Sequence, residues 1–167
     1  MLHEIVFPLS LPSPDVAQPK ALTIGWIEHA LLTLGKCEGG MDHVEIKAKV
    51  DTGAKTSSLH AINIHPFYRD MIPYLRFTVP LEGNAREVEA PLMKKAVVKT
   101  SEGTREERFF VQARINMGAW EAPITLSLND RSTMLYPVLL GRSFLSQRFV
   151  VDVSKKFLLR KPKCKLP

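Results

Sequence analysis

A chain of 167 residues with 45% hydrophobic and 24% charged content has the length and polarity of one globular domain with a real core. No apolar run approaches the ~18 residues that a membrane-spanning helix needs, so no membrane partner is expected. The surplus of 23 basic over 17 acidic residues, a net charge of +6, suits an acidic partner. Part of that surplus is a terminal tail, Lys155-Lys156 and Arg160-Lys161-Pro162-Lys163-Cys164-Lys165. No aromatic residues are interleaved with these bases, which argues against a nucleic-acid stacking surface. Cys37 and Cys164 lack metal-ligand spacing and are too few for a disulfide scaffold. Two free thiols are the expectation and one bridge between tail and loop is the alternative, so cytoplasmic and periplasmic locations both stay open.

In chain order, residues 1–20 come first as a flexible leader: Pro8, Pro12, Pro14 and Pro19 punctuate a stretch with no helical or strand period. A signal peptide is the alternative there, but the basic start is missing and Pro8 and Pro12 interrupt the apolar stretch. The folded domain is expected over 21–160, with 161–167 as a basic tail. Ala21 to Ile27 is the first candidate strand. Leu31-Leu32-Thr33-Leu34, followed by Gly35 and Gly39-Gly40, reads as a turn-rich link. Val44, Ile46, Ala48 and Val50 then alternate with Glu45, Lys47 and Lys49, the period of a half-buried strand. Further strands are expected over Ser58–Ile64, Tyr74–Val79, Arg86–Ala90, Ala96–Lys99, Arg105–Ile115, Ala119–Leu128 and Met134–Leu140. Glu82-Gly83-Asn84, Ser101-Glu102-Gly103 and Asn116-Met117-Gly118 mark turns. Arg142 to Arg148 has helical character, and Val150–Val153 and Lys156–Leu159 close the chain as strands. Many short strands at regular spacing predict a closed barrel or a sandwich.

The segment Val50-Asp51-Thr52-Gly53-Ala54 places a carboxylate at a strand end, in a turn tight enough to need glycine, which also tolerates positive φ. Threonine can hydrogen-bond across to an opposing turn. When two such carboxylates meet, like-charge repulsion makes them share one proton. One then acts as general base on a water while the other protonates the carbonyl oxygen, and the titration belongs to the pair. Taken alone, the tripeptide also fits a polar turn in which Asp51 caps its own loop. Tyr136-Pro137-Val138-Leu139-Leu140-Gly141-Arg142-Ser143-Phe144-Leu145 supplies a second element: an apolar strand, a glycine, then a short helix.

Together these residues resemble a retropepsin-like aspartic protease, in which an apolar-apolar-Gly-Arg segment lies behind the catalytic turn. More closely, Ile24-Gly25-Trp26, Lys47 to Ala61, Arg76-Phe77-Thr78-Val79, Leu139-Leu140-Gly141-Arg142 and Phe149-Val150-Val151-Asp152 are similar to the bacterial family labelled ATP-dependent zinc protease. The resemblance runs from Ile24 to Leu159. It implies an all-β fold, a closed retropepsin-like (acid protease) β-barrel with one short C-terminal helix. It also implies a hydrolase that cleaves peptides, with Asp51, Thr52 and Gly53 as the catalytic turn and no cofactor. Some members of that family are linked to a glutamate ligase, which implies trimming of polyglutamate chains.

The zinc and ATP of that label find no motif here. None of His3, His29, His43, His60 and His65 stands in a His-Glu-x-x-His pattern, and Ala54-Lys55-Thr56 lacks the first glycine of a phosphate loop. No metal is therefore expected.

Retroviral enzymes carry an aspartate where this chain has Lys55, so the usual ion pair with Arg142 cannot form. Lys55 and Arg142, expected side by side at the cleft, would call for an acidic partner such as a carboxylate-rich substrate. Ala54 and Thr56 would line the same cleft. Val97 to Arg105, with Ser101 and Gly103 at its tip, is the expected flap, leaving 66–92 as an extra hairpin. Asp130 and Asp152 are followed by Arg131-Ser132 and Val153-Ser154, so neither makes a second Asp-Thr-Gly, and the second aspartate would come from a partner copy in a two-fold homodimer. A non-catalytic module that binds acidic peptides and a zinc-dependent peptidase are the alternative functions.

Overall fold

A computed structural model describes residues 20–37 and 40–163, of which 36, 37 and 40–42 by their backbone only. The leader before Lys20, Cys164 and the end of the tail lie outside the described residues, as do the side chain of Cys37 and with it any Cys37–Cys164 bridge. Twelve strands and one short helix follow in order among the described residues: β1 (Leu22–Gly25), β2 (Ile27–Cys37), β3 (Gly40–Val50), β4 (Ser57–His60), β5 (Ile62–Arg69), β6 (Ile72–Leu81), β7 (Asn84–Pro91), β8 (Lys94–Lys99), β9 (Arg105–Met117), β10 (Trp120–Asn129), β11 (Val138–Leu140), α1 (Arg142–Leu145) and β12 (Phe149–Asp152). No helix among the described residues is long and apolar enough to cross a membrane.

Strands β2, β3, β11, β4, β10 and β9 are neighbours in that order, and β9 pairs back to β2. This closes a six-stranded barrel with no free edge. Its interior holds Leu32, Leu34, Val44, Ile46, Ala48, Val50, Leu59, Val111, Ile115, Leu126, Leu128, Val138 and Leu140, all buried in one cluster. The strict alternation of β3 puts its even residues into this core and leaves Lys47 and Lys49 exposed, as the period-two pattern predicts.

Four expectations change. The stretch read as a turn-rich link is the long hairpin strand β2. Leu31, Leu32 and Leu34 are all buried, so a run without alternation marks a strand covered on both faces. Gly35 is a β-bulge in it, with φ +20° and so close to β7 that a Cβ would collide with the Glu89 carbonyl. The extra hairpin is in fact a three-stranded antiparallel extension, β5–β6–β7, joined to β2 through Lys36 and Glu89. Its first turn, Asp70-Met71, has positive φ at both residues without any glycine, the geometry that a tight hairpin demands. The helix spans only Arg142–Leu145, and Met134–Leu140 contributes only β11 to the sheet.

Lys156–Leu159 is the fourth. It is no strand: Phe157 has φ +54°, its N–H makes a single bond to Ile27 O at 2.9 Å, and the next two amides bond to a side chain. Glu28, wholly buried in β2, accepts from Gly25 N at 2.8 Å, Leu158 N at 2.9 Å and Leu159 N at 3.2 Å. The same carboxyl thus ties the end of β1 and the C-terminal segment to the barrel. Replacing Glu28 with Ala strands three amide donors and is expected to cost about 3 kcal/mol. Glu28→Gln, which keeps one acceptor oxygen, should lose less. Urea midpoints at unchanged slope measure both.

Candidate active site

The barrel places β11 between β3, to which it is parallel, and β4, to which it is antiparallel. Val50 points into the core, so Asp51, one residue on, turns to the opposite face. Its own N–H donates to Leu140 O at 2.9 Å, which carries the ladder one residue past the strand end. The half-buried Asp51 then organises its turn: Oδ1 accepts from Gly53 N at 3.0 Å and Ala54 N at 3.2 Å.

Gly53 has no positive φ. Its smallness serves the carboxylate instead, because a Cβ there would stand 3.2 Å from Asp51 Oδ1. Thr52 and Gly53 are exposed.

Gly141 and Arg142 lock the turn from behind. A Cβ on Gly141 would stand 2.6 Å from the Thr56 backbone, so only glycine allows the two segments to touch. Gly141 N donates to Ser57 Oγ at 3.0 Å, Arg142 N to Ala54 O at 2.9 Å and Ser143 N to Lys55 O at 2.9 Å. The Arg142 guanidinium has partners within the turn itself. Its Nη1 donates to Thr52 O at 3.0 Å and Gly53 O at 2.9 Å, taking up the two carbonyls that the turn exposes. Glu87 and Glu89 are paired with Arg76 on the extension.

Lys55 is exposed. With Thr56, Lys94, Phe110, Ser143 and Arg148 it lines a groove of about 420 Å³ beside the turn, whose charged lining residues Lys55, Lys94 and Arg148 are all basic. Ser101 and Gly103 sit exposed at the tip of the β8–β9 hairpin, which has the position in sequence and the free end of a flap. No hydrogen bond among the described residues joins them to the Asp51 turn.

Asp130 and Asp152 are each spent on their own turns, accepting from the backbone and hydroxyl of Ser132 and Ser154. These bonds to serine lower both carboxyl pKa values. His60 Nδ1 accepts from Arg131 N at 2.8 Å and His65 is exposed. Among the described residues no three His, Cys, Asp or Glu side chains group closely enough to hold a metal ion.

Sequence reasoning passed over one residue here. Arg131, in the polar run Asn129-Asp130-Arg131-Ser132, is only 6% exposed. Burial pushes its guanidinium below the usual pKa; Arg108 pushes the same way and Asp51 opposes both. No ion pair holds it among the described residues. A polar tetrapeptide after a strand looks like any surface turn, and nothing in the sequence signals that its arginine folds inward.

With this geometry in view, known proteins add a consistent frame. The family model described as the retropepsin-like aspartic endopeptidase RimB matches residues 24–162. A crystal structure of a Legionella pneumophila protein of unknown function superimposes with a TM-score of 0.66 at 33% identity, covering 84% of this chain and 98% of that one. Curated relatives named probable alpha-L-glutamate ligase are 39% identical over 120 residues in Shewanella pealeana and 39% identical over 117 residues in Parasynechococcus marenigrum. Each match covers 68% of this chain but only 26% and 25% of the relative, so the chain spans about a quarter of the length of these relatives. None of these names refers to zinc or ATP. A closed six-stranded barrel, an Asp-Thr-Gly turn locked by Gly-Arg and a family match across nearly the whole described chain agree: the chain belongs to the RimB-like family of retropepsin-like aspartic endopeptidases.

Proposed function

We propose that this chain is an aspartic peptidase that works as a two-fold homodimer on acidic, glutamate-rich peptide chains. The observation that carries the reading is the Asp51 turn: one carboxylate per chain, oriented by Gly53 and Ala54 amides and clamped by Arg142. A single carboxylate cannot act as general base and general acid on the same amide, so a second copy has to supply its own Asp51. In the dimer the two carboxylates share a proton. One takes a proton from water as the water oxygen attacks the carbonyl carbon, and the other donates its proton to the carbonyl oxygen. On collapse the first carboxyl passes its proton to the amide nitrogen, the C–N bond breaks, and the second recovers a proton from a hydroxyl of the intermediate.

The surface beside the turn supports pairing. β1 and β12 form a separate two-stranded parallel sheet with Leu22 and Val150 exposed. β1 runs directly into Trp26, whose carbonyl accepts from Val50 N. The exposed sheet and the exposed Thr52 are the two surfaces offered for a second copy to cover.

The substrate class rests on two supports. Lys55, Lys94 and Arg148 make the groove beside the turn basic, which favours carboxylate-rich chains. The relatives that contain a similar segment are named for joining glutamate, and a peptidase in the same polypeptide would act on what a ligase of that kind makes. The basic groove would equally serve a module that binds acidic peptides without cutting them, and the first experiment below separates the two.

Asp51→Asn should abolish hydrolysis of oligoglutamate peptides, by about a thousandfold or more, while leaving peptide binding intact. Wild-type protein that binds such peptides but never cuts them would favour the module. Light scattering should give twice the chain mass; a strictly monomeric protein would sink the catalytic reading. Arg142→Ala releases the Thr52 and Gly53 carbonyls and should lower stability by about 2 kcal/mol and the cleavage rate with it, both measurable on the same preparation.

A further inference from the structure

Arg131 is a buried cation that makes no ion pair among the described residues, on the face that carries Asp51, whose charge acts on it from beyond ion-pair distance. Leu59, Val138, Leu140, Leu126 and Leu128 fill the core, so by alternation Ser58, Leu139, Ser127 and Asn129 face the other way. That is the side to which Asp51 turns after Val50. Ser58 and Leu139 are directly paired, and Leu139 precedes the carbonyl that holds Asp51 N. The Arg131 guanidinium lies on this same face, donating from Nη1 to Ser58 Oγ at 3.2 Å.

The rest of the group is under-used. Nη2 meets only the Met134 thioether, at 2.8 Å, a weak acceptor. Nε is buried with no partner at all, and so is Asn129 Oδ1 nearby in sequence. Nε and Nη2 form one edge of the guanidinium, the side-on fork that matches a carboxylate with two parallel hydrogen bonds. A buried cation left unpaired is costly, and folds seldom keep one without use. Met134, 58% exposed and flexible, covers that edge and can swing away into solvent. Arg108 repels Arg131 and Asp51 attracts it, and Arg108 also pairs with Glu106, so neither charge fills the Nε–Nη2 edge.

We infer that Arg131 is the specificity residue of an acidic-side-chain subsite, its Nε–Nη2 edge receiving the carboxylate of one substrate glutamate or aspartate beside the scissile bond once Met134 moves aside. This deepens the peptidase reading and rests on it for the word substrate, but binding tests it independently of cleavage.

The experiment uses full-length Asp51→Asn protein and labelled hexaglutamate, with a series in which each glutamate in turn becomes glutamine. One position should show a penalty of about tenfold or more. Adding Arg131→Met should erase the penalty at that position alone, with the others unchanged. Met134→Glu gives a second handle at an exposed position where folding is not at risk. Its carboxylate should occupy the fork and weaken hexaglutamate binding about tenfold, while Met134→Gln should not. A position-specific penalty that survives Arg131→Met in folded protein would overturn the subsite. So would equal binding by Met134→Glu and Met134→Gln, or no binding of hexaglutamate by the Asp51→Asn protein. Intact binding with no cleavage by wild type would instead overturn the peptidase reading and leave the subsite standing.

Discussion

The close approach of Gly141 to Thr56 is the constraint on which the rest of the site depends. Two chain segments far apart in sequence touch backbone to backbone at a distance that no side chain permits. Because they touch, Gly141 N reaches Ser57 Oγ, Arg142 N reaches Ala54 O, and the Arg142 guanidinium reaches the carbonyls of Thr52 and Gly53. The turn is therefore held from its back by backbone geometry and from its flank by a cation. Asp51 is left with only its local amides to satisfy, and the outer surface of the turn stays open. Under the proposed pairing of two Asp51 carboxylates, this rigid orientation is what would let two groups that repel act as one.

The barrel supplies that geometry at both ends of the chain. β3 delivers Asp51, β11 lies beside it in parallel, and the closure of β9 onto β2 leaves no edge from which the layer can peel. Glu28 does the equivalent work for the termini, one buried carboxyl gathering three backbone amides from Gly25, Leu158 and Leu159. The segment after β12 is irregular, yet it is anchored because a side chain replaces the missing ladder. Outside the barrel, the β5–β7 extension is held together differently, by Glu89 accepting from Arg69 and Arg76 around the rings of Phe67 and Tyr74.

Much of the fold was legible. The alternation of β3, the turn signals around Gly83, Gly103 and Gly118, and the apolar strand before Gly141 are local patterns, and each became the element it announced. Two of the misreadings share a cause. Leu31–Leu34 did not alternate because both faces of β2 are covered, and Lys156–Leu159 placed its amides on Ile27 and on the distant Glu28. In both a tertiary neighbour overrode the local pattern.

The candidate site divides in the same way. Asp51-Thr52-Gly53 and Leu139-Leu140-Gly141-Arg142 were visible in the sequence because their chemistry depends on residue type and order within a few positions. What Arg142 holds and where Arg131 lies were not visible, because both depend on which backbone a long side chain meets after the barrel has closed. The sequence by itself determined most of the strands, the Asp-Thr-Gly turn and the glycine behind it. Only the tertiary structure decided that Arg142 is engaged with the turn and that Arg131 is a buried charge with an unpaired Nε, since the partners of a flexible cation are set by packing and not by its neighbours in the chain.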